Sequence, residues 1–444
     1  MASSFHKRLG LTWDIHGDGK TIGAGQVVKP HQRMAWPHTI GIGLQHVMAM
    51  FGSTVLVPAL TGFPPTAALF FSGVGTLLFL LITKGKVPSY LGSSFAFIAP
   101  MIAATSMHSM AVASGGIIIT GAALAIVGFI VHKAGTRWIH AVMPPVVMGT
   151  ILALIGLNLA SATTQGMVEV PWTTFGTTAA VVITAVLFRG FLGRLSILLG
   201  IVAGYLLALA QAEIDFQPVL DASWLGLPAF HAPEFRFDVL FLFLPVVFVL
   251  VAENIGHVRT VGLMTRTNLD PQNGRALIAD GVATMLSGSG GGVGTTTYAE
   301  NIGVMASSRI YSTAAYWVAG IVAMSLAFFP KFGALIATIP MGVAAGAGII
   351  LYGMIGIMGA RIWVNNRVDF SNTINVMAAG AGLIVAIADP IIDVAGMQFG
   401  GIALGTITVL VIYHLMTAIA RWRDTEPIED DEDAPAAVAP GRLG

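Results

Sequence analysis

The hydrophobic positions of this chain fall into long, nearly uninterrupted runs, and the polar positions gather between them. Neither the period-two alternation of a half-buried strand nor the narrow stripe of a surface helix dominates. Measured against the roughly 20 residues needed to cross a bilayer, the runs predict spans near 37–59, 65–83, 95–112, 114–132, 141–160, 173–188, 195–212, 239–258, 276–289, 298–308, 312–330, 334–360, 370–389 and 397–420. The expected fold is an all-α polytopic membrane protein with fourteen transmembrane segments. A polar lead precedes the first run, so no cleavable signal peptide is expected.

Composition agrees with that reading. Hydrophobic residues make up 55% of the 444 positions, charged residues 10%, and the mean hydropathy is +0.81, which leaves too little polar surface for a water-soluble domain. Cysteine is absent, which excludes disulfides, thiolate metal sites and thiol catalysis. The net charge is zero and implies no polyanionic partner, so no nucleic acid is expected.

The placement of charge says more than its sum. With the N-terminus in the cytoplasm, alternate loops collect Lys84 and Lys86, Lys133 and Arg137, Arg189 and Arg194, Arg259, Arg266 and Arg275, Arg309, and Arg361 and Arg367. The opposite loops hold only Arg236 and Lys331, and gather acids such as Glu213, Asp215, Asp221, Glu234 and Asp238. By the positive-inside rule both termini are expected on the cytoplasmic side of the cell's inner membrane. Residues 1–33 read as a cytoplasmic lead folded against the transmembrane region, and the acidic, Ala/Pro-rich stretch from Ile428 onward as a disordered solvated tail.

Fourteen spans divide as seven plus seven, and an odd half must enter from the opposite side, which gives an inverted repeat. Each half opens with a polar-bearing span, Gln45-His46 in the first and Glu253 with His257 in the eighth. Each later carries a short broken segment, Leu91 to Pro100 in span three and Thr295 to Gly303 in span ten. Ser94–Ile98 and Thr295–Tyr298 are expected as two short antiparallel strands, because their small, β-branched and aromatic residues suit extended backbone. Such backbone must pair or line a cavity when it lies in a membrane. The glycine-rich run Gly288–Gly294 allows a close approach to the second strand and is not a phosphate-binding loop, since no Gly-Lys-Ser/Thr follows.

Two acids, Glu253 and Glu300, interrupt apolar stretches. A carboxylate at mid-bilayer depth costs about 2.5 to 3.5 kcal/mol on insertion scales, so both are read as facing a polar interior site. Glu253 and His257 are four apart and share a helix face. Together they are candidates for taking up and releasing a proton near neutral pH, the alternative being a structural helix–helix hydrogen bond. Glu300 is expected at the start of a half-helix whose amides face a cavity and can hold a substrate carbonyl. No metal site is expected, and no paired-histidine zinc motif or nucleophile elbow is present.

Gln45-His46, Lys86-Val-Pro-Ser-Tyr-Leu-Gly-Ser-Ser-Phe-Ala-Phe97, Ala252-Glu-Asn-Ile-Gly-His257 and Thr297-Tyr-Ala-Glu-Asn-Ile-Gly-Val-Met305 together resemble the nucleobase/ascorbate transporter family, in particular its bacterial uracil and pyrimidine permeases, from about Pro37 to Arg421. The resemblance implies a core domain of spans one to four (37–133) and eight to eleven (239–331), and a gate domain of spans five to seven (134–238) and twelve to fourteen (332–421). An N-terminal lead (1–36) and a tail (422–444) flank them. It further implies proton symport with no cofactor beyond the coupling proton, a homodimer and an elevator-like motion. Glu253 and Glu300 match the family's substrate-binding carboxylates, Phe95 and Tyr298 its base-lining aromatics, and His257 its proton-coupling histidine; Ala299 and Asn301 flank the second acid in the binding motif. Gln45, His46 and Asp280 match supporting positions, Asp280 being readable also as a helix cap.

Ala299 stands where uracil permeases commonly have glycine, and Glu300-Asn301 where purine transporters have Gln-Asn. The expected function is therefore proton-coupled import of uracil or another pyrimidine base. A broader pyrimidine/xanthine permease, an anion exchanger or channel, and a base sensor on the same fold are the alternatives.

Overall fold

Apolar runs in a bilayer leave the backbone no water to bond, and helix satisfies every amide within the segment. In the computed structural model, which describes residues 10–23 and 25–425, a helix occupies each of the apolar runs. In chain order these are α1 Trp36–Thr61, α2 Pro65–Ile82, α3 Ile98–Met107, α4 Met110–Ala134, α5 Pro145–Asn158, α6 Pro171–Leu187 and α7 Ser196–Ala210. They continue as α8 Val246–Thr265, α9 Asn273–Ser289, α10 Ala299–Ser308, α11 Thr313–Leu326, α12 Met341–Asn365, α13 Thr373–Ala388 and α14 Gly401–Arg423.

Seven helical stretches are long and apolar enough to cross a membrane: α1, α2, α4, α5 with its continuation to Glu169, Leu240–Thr265 including α8, α12 and α14. An eighth arises if α11 is joined to Pro330–Ala337, which meets it at 85°. The chain is a multi-pass membrane protein whose remaining apolar helices are shorter.

The helices pack in two sets. α9 lies along α4 and α2, and α11 lies against α1 and α2; α12 lies along α5 and α6, α13 packs on α14 and α5, and α7 on α6. Small residues let the axes close. A Cβ placed on Gly121 of α4 would strike the Gly281 carbonyl of α9 and the reverse is equally true, so this pair touches backbone to backbone.

Within the first set, against α1, α2, α8 and α9, two short strands cross the interior. β1 (Leu91–Ser93) and β2 (Thr295–Thr297) pair antiparallel, Leu91 opposite Thr297, Gly92 opposite Thr296 and Ser93 opposite Thr295, and all six residues are buried. Pairing gives extended backbone the partners that lipid cannot. Two glycines make room for it: a side chain on Gly92 would fall into the Tyr298 ring, and one on Gly294 into the Phe97 ring.

The described part of the N-terminal lead folds onto the helices as expected. Val28 N donates to Arg309 O (2.9 Å), Tyr311 N donates to Val28 O (2.8 Å), and the Trp13 indole donates to Thr313 Oγ1 (2.7 Å). On the acid-rich side, the segment before α8 is tied down by Glu234 N to Ala111 O and by a His231–Ser114 hydrogen bond (3.0 Å). The expected acidic tail from Ile428 lies outside the described residues.

Several boundaries differ from expectation. The first strand is 91–93 and not Ser94–Ile98, because the Ser94 hydroxyl accepts from Ala96 N and turns Phe95–Phe97 into a 3-10 turn. Helix follows at once, with Pro100 in the first turn where a missing amide costs nothing. Span three therefore ends at Met107, and span four starts at Met110 behind the Ser109 cap rather than at 114. Residues 334–340 do not belong to span twelve, which begins after Pro340. The eighth helix runs on to Thr265, seven residues past the expected end at 258.

Candidate functional site

The strand pair brings together residues from helices far apart in sequence. Consecutive threonines of β2 each engage a different ionisable group. Thr295 Oγ1 donates to Asp280 Oδ1 on α9 (3.0 Å), Thr296 Oγ1 donates to Glu253 Oε2 on α8 (3.0 Å), and Thr297 Oγ1 shares a hydrogen bond with His257 Nδ1 (2.8 Å). Glu253 and His257 share one face of α8, as the spacing predicts, but among the described residues they form no hydrogen bond with each other; each is held by its own threonine. Both are half-buried.

Asp280 is fully buried in the body of α9, and Asn254 Nδ2 donates to its other oxygen (3.2 Å). It is not a helix cap. It ties α9 to both α8 and β2, satisfying the oxygens of a group that burial would otherwise penalise.

Glu300 occupies the first turn of α10, and its Oε1 accepts from Ser53 Oγ of α1 (2.7 Å). Glu253 is anchored at Thr296, and Glu300 follows four residues later across the strand-to-helix turn. The helix that carries Glu300 has no side-chain cap, and among the described residues no acceptor takes the first-turn amides of Ala299, Glu300 and Asn301. Ala299 itself is exposed. Those amides and the positive dipole end are free donors beside a carboxylate acceptor.

Tyr298 does not present its ring to an open site. It is 3% exposed, its hydroxyl donates to Ser93 O (2.8 Å) and meets Thr54 Oγ1 (3.1 Å), and its ring lies near Tyr90. It braces the strand pair from behind. Asn301 likewise turns away: its Nδ2 donates to His46 O (3.0 Å) and shares a bond with His46 Nδ1 (3.1 Å), while the His46 ring lies against Tyr316 (4.2 Å). The side chain of Asn301 thus links α10 to α1, and His46 belongs to that link. Gln45 is half-buried and forms no side-chain hydrogen bond among the described residues.

Phe95 is half-buried in the turn after β1 and meets Tyr352 of α12 edge-on (6.4 Å), which bridges the two helix sets. A cavity of about 300 Å³ begins one turn further on, lined by Ala99, Ile102, Asn158, Leu242, Asp389 and Ile402 among others. It is not the acid site. It lies between α3 and the ends of α5, α13 and α14, and the polar chemistry is at the strand crossing.

Ser53, Thr54 and Asn254 were missed as individual contributors by sequence reasoning. Ser53-Thr54 is a polar pair in the middle of the first apolar run, and that signal was available. Collected at one crossing are two carboxylates, three free amides and a half-buried aromatic. The set suits a flat, neutral molecule with both N–H and C=O groups on its rim.

The family model described as Permease family (Xan_ur_permease) matches residues 37–394. The chain is 44% identical over 408 residues to "Putative pyrimidine permease RutG" of Escherichia coli (strain K12), covering 88% of this chain and 92% of that one. It is 39% identical over 409 residues to the uracil permease of Escherichia coli (strain K12), covering 89% and 95%, and 37% identical over 413 residues to that of Bacillus subtilis (strain 168), covering 88% and 95%. Among solved structures it resembles the transmembrane domain of a cyanobacterium bicarbonate transporter BicA (TM-score 0.58, 16% identity, 85% of this chain and 97% of that one). It also resembles the murine anion transporter Slc26a9 (TM-score 0.67, 10% identity, 86% and 68%). At such identities these two establish the fold alone. The length and identity of the sequence matches establish more: this chain belongs to the nucleobase/ascorbate transporter family of permeases, and is a transporter rather than an enzyme.

Proposed function

We propose that this permease imports uracil, with other pyrimidine bases as secondary substrates, in symport with protons. The observation that carries the reading is the pairing of Glu253 and Glu300, held by Thr296 and Ser53, with the uncapped amides of α10 beside them. Uracil offers ring N–H donors to the carboxylates and C=O groups to the amides, and Phe95 supplies an aromatic wall. The names of the similar permeases point to the same substrate class.

In this reading Glu253 and His257 carry the coupling proton, so that the loaded site crosses the apolar passage with less uncompensated charge. Spans one to four and eight to eleven form the core that holds the site, and spans five to seven and twelve to fourteen form the gate, in a fourteen-span, seven-plus-seven inverted repeat. Support comes from the two packing sets and from matching strand-then-helix segments, one in each half. The core moves against the gate like an elevator, in a homodimer with cytoplasmic termini. An anion exchanger on this fold fits less well, since two acids would repel its cargo.

Radiolabelled uracil uptake into proteoliposomes, with and without an inward proton gradient, tests the proposal. Gradient-dependent accumulation, retained binding but lost pH dependence in Glu253→Gln, and competition by thymine are expected. Binding without accumulation makes the protein a sensor, and current without saturable uracil uptake makes it a channel; either result overturns the proposal.

A further inference from the structure

We propose that Ser53 is a positioning residue that sets which edge of a base the site accepts, an inference that rests on Glu300 as a substrate ligand. Ser53 is 1% exposed in the middle of α1, and its single hydroxyl proton goes to Glu300 Oε1 at 2.7 Å. Such hydroxyls commonly bond back to the carbonyl four residues earlier, as Thr61 does to Val57 O (2.8 Å) in the same helix. Ser53 instead reaches across to a side chain 247 positions away. Its neighbour Thr54 meets the Tyr298 hydroxyl, so two consecutive residues of α1 hold the turn 298–300.

The consequence is chemical. With Oε1 engaged as an acceptor, the carboxylate plane is fixed and the remaining oxygen faces the ligand as a pure acceptor. A ring that presents N–H at that point, as in uracil, thymine or xanthine, is accepted. A ring with an unprotonated nitrogen there, as in cytosine, sets lone pair against lone pair and is refused. Ser53 does this without touching the base. A freed carboxylate can rotate, and once protonated can donate to such a nitrogen, so discrimination relaxes.

The test uses the full chain in proteoliposomes, comparing wild type, Ser53→Ala and Ser53→Thr for uracil KM, kcat and competition by cytosine. Loss of a hydrogen bond to a charged group predicts a uracil KM raised about tenfold to a hundredfold in Ser53→Ala, with kcat kept within about twofold. Cytosine should become a better competitor relative to thymine. Ser53→Thr keeps the hydroxyl and should restore KM to within about threefold of wild type. Melting temperatures of the purified variants separate misfolding from a binding effect. A cytosine:thymine ratio unchanged in Ser53→Ala overturns the inference whether or not KM rises, as does an equal loss in the alanine and threonine variants. A wild-type protein that fails to bind uracil overturns the functional reading instead, and so is distinguishable.

Discussion

The two broken segments use one backbone device for two purposes. Each places a three-residue strand in the antiparallel pair and then turns into a half-helix of ten residues, α3 or α10. In the first, Ser94 accepts from Ala96 N, a 3-10 turn intervenes, and the segment is closed on itself with Phe97 buried against Phe243. In the second, the capping position is Tyr298, whose side chain accepts nothing from the helix, and Glu300 sits among amides with no partner. A helix start whose leading amides are taken up by a capped 3-10 turn is finished structure, whereas one with free amides beside a carboxylate is a place for a ligand. The first segment supplies a wall and the second supplies the recognition.

That contrast can be broken most directly at its polar end. Glu300→Ala should weaken equilibrium uracil binding by more than about a hundredfold, whereas Phe95→Ala on the other segment should cost only about tenfold. Comparable losses in a scintillation proximity assay would remove the distinction between wall and recognition. Next in size is the strand pair both segments share. Gly92→Ala and Gly294→Ala each push a methyl into an aromatic ring, so each should lower stability by about 1 to 3 kcal/mol, seen as a lower melting temperature and a reduced folded yield.

Tyr298→Phe sharpens the picture from behind the site. It removes the hydroxyl bonds to Ser93 and Thr54 and should cost about 1 to 2 kcal/mol of stability, leaving uracil KM within about threefold of wild type. A large rise in KM with unchanged stability would mean that the hydroxyl faces the base.

The smallest effect is expected away from the strand pair, at Asp238, whose carboxylate meets His108 Nε2 (3.1 Å) just past the end of α3. The Arg236 guanidinium bonded to it holds its carboxyl below the usual carboxylate range. A folded-state value below the unfolded one contributes stability above the unfolded value, near about 4, and loses it as pH falls through the folded value. Arg236→Ala should therefore melt slightly below wild type at neutral pH, with the difference vanishing in acid. A difference that persists in acid would assign the effect to packing.

Much of this was legible in the sequence. Long apolar runs dictate helices, and the isolated acids at 253 and 300 mark a polar interior. The β-branched Thr295–Thr297 gave its strand within one residue, and the polar lead was expected to fold against the helices, as it does. Ser94–Ile98 misled because its aromatic and small residues favour a strand, while a single serine cap and a proline in the next turn decided for helix. Motif matching placed Tyr298 and Asn301 in the site, because sequence proximity to Glu300 cannot tell which way successive side chains point.

What the sequence alone determined is the class of object: a membrane-embedded permease with paired broken segments and two interior acids, because hydrophobic length and the cost of buried charge are local properties. What the tertiary structure decided is who holds those acids. Ser53 with Glu300, Thr296 with Glu253 and Asn254 with Asp280 are contacts across 247, 43 and 26 positions. A hydroxyl's partner is set by where packing brings its neighbours, and no local pattern encodes that.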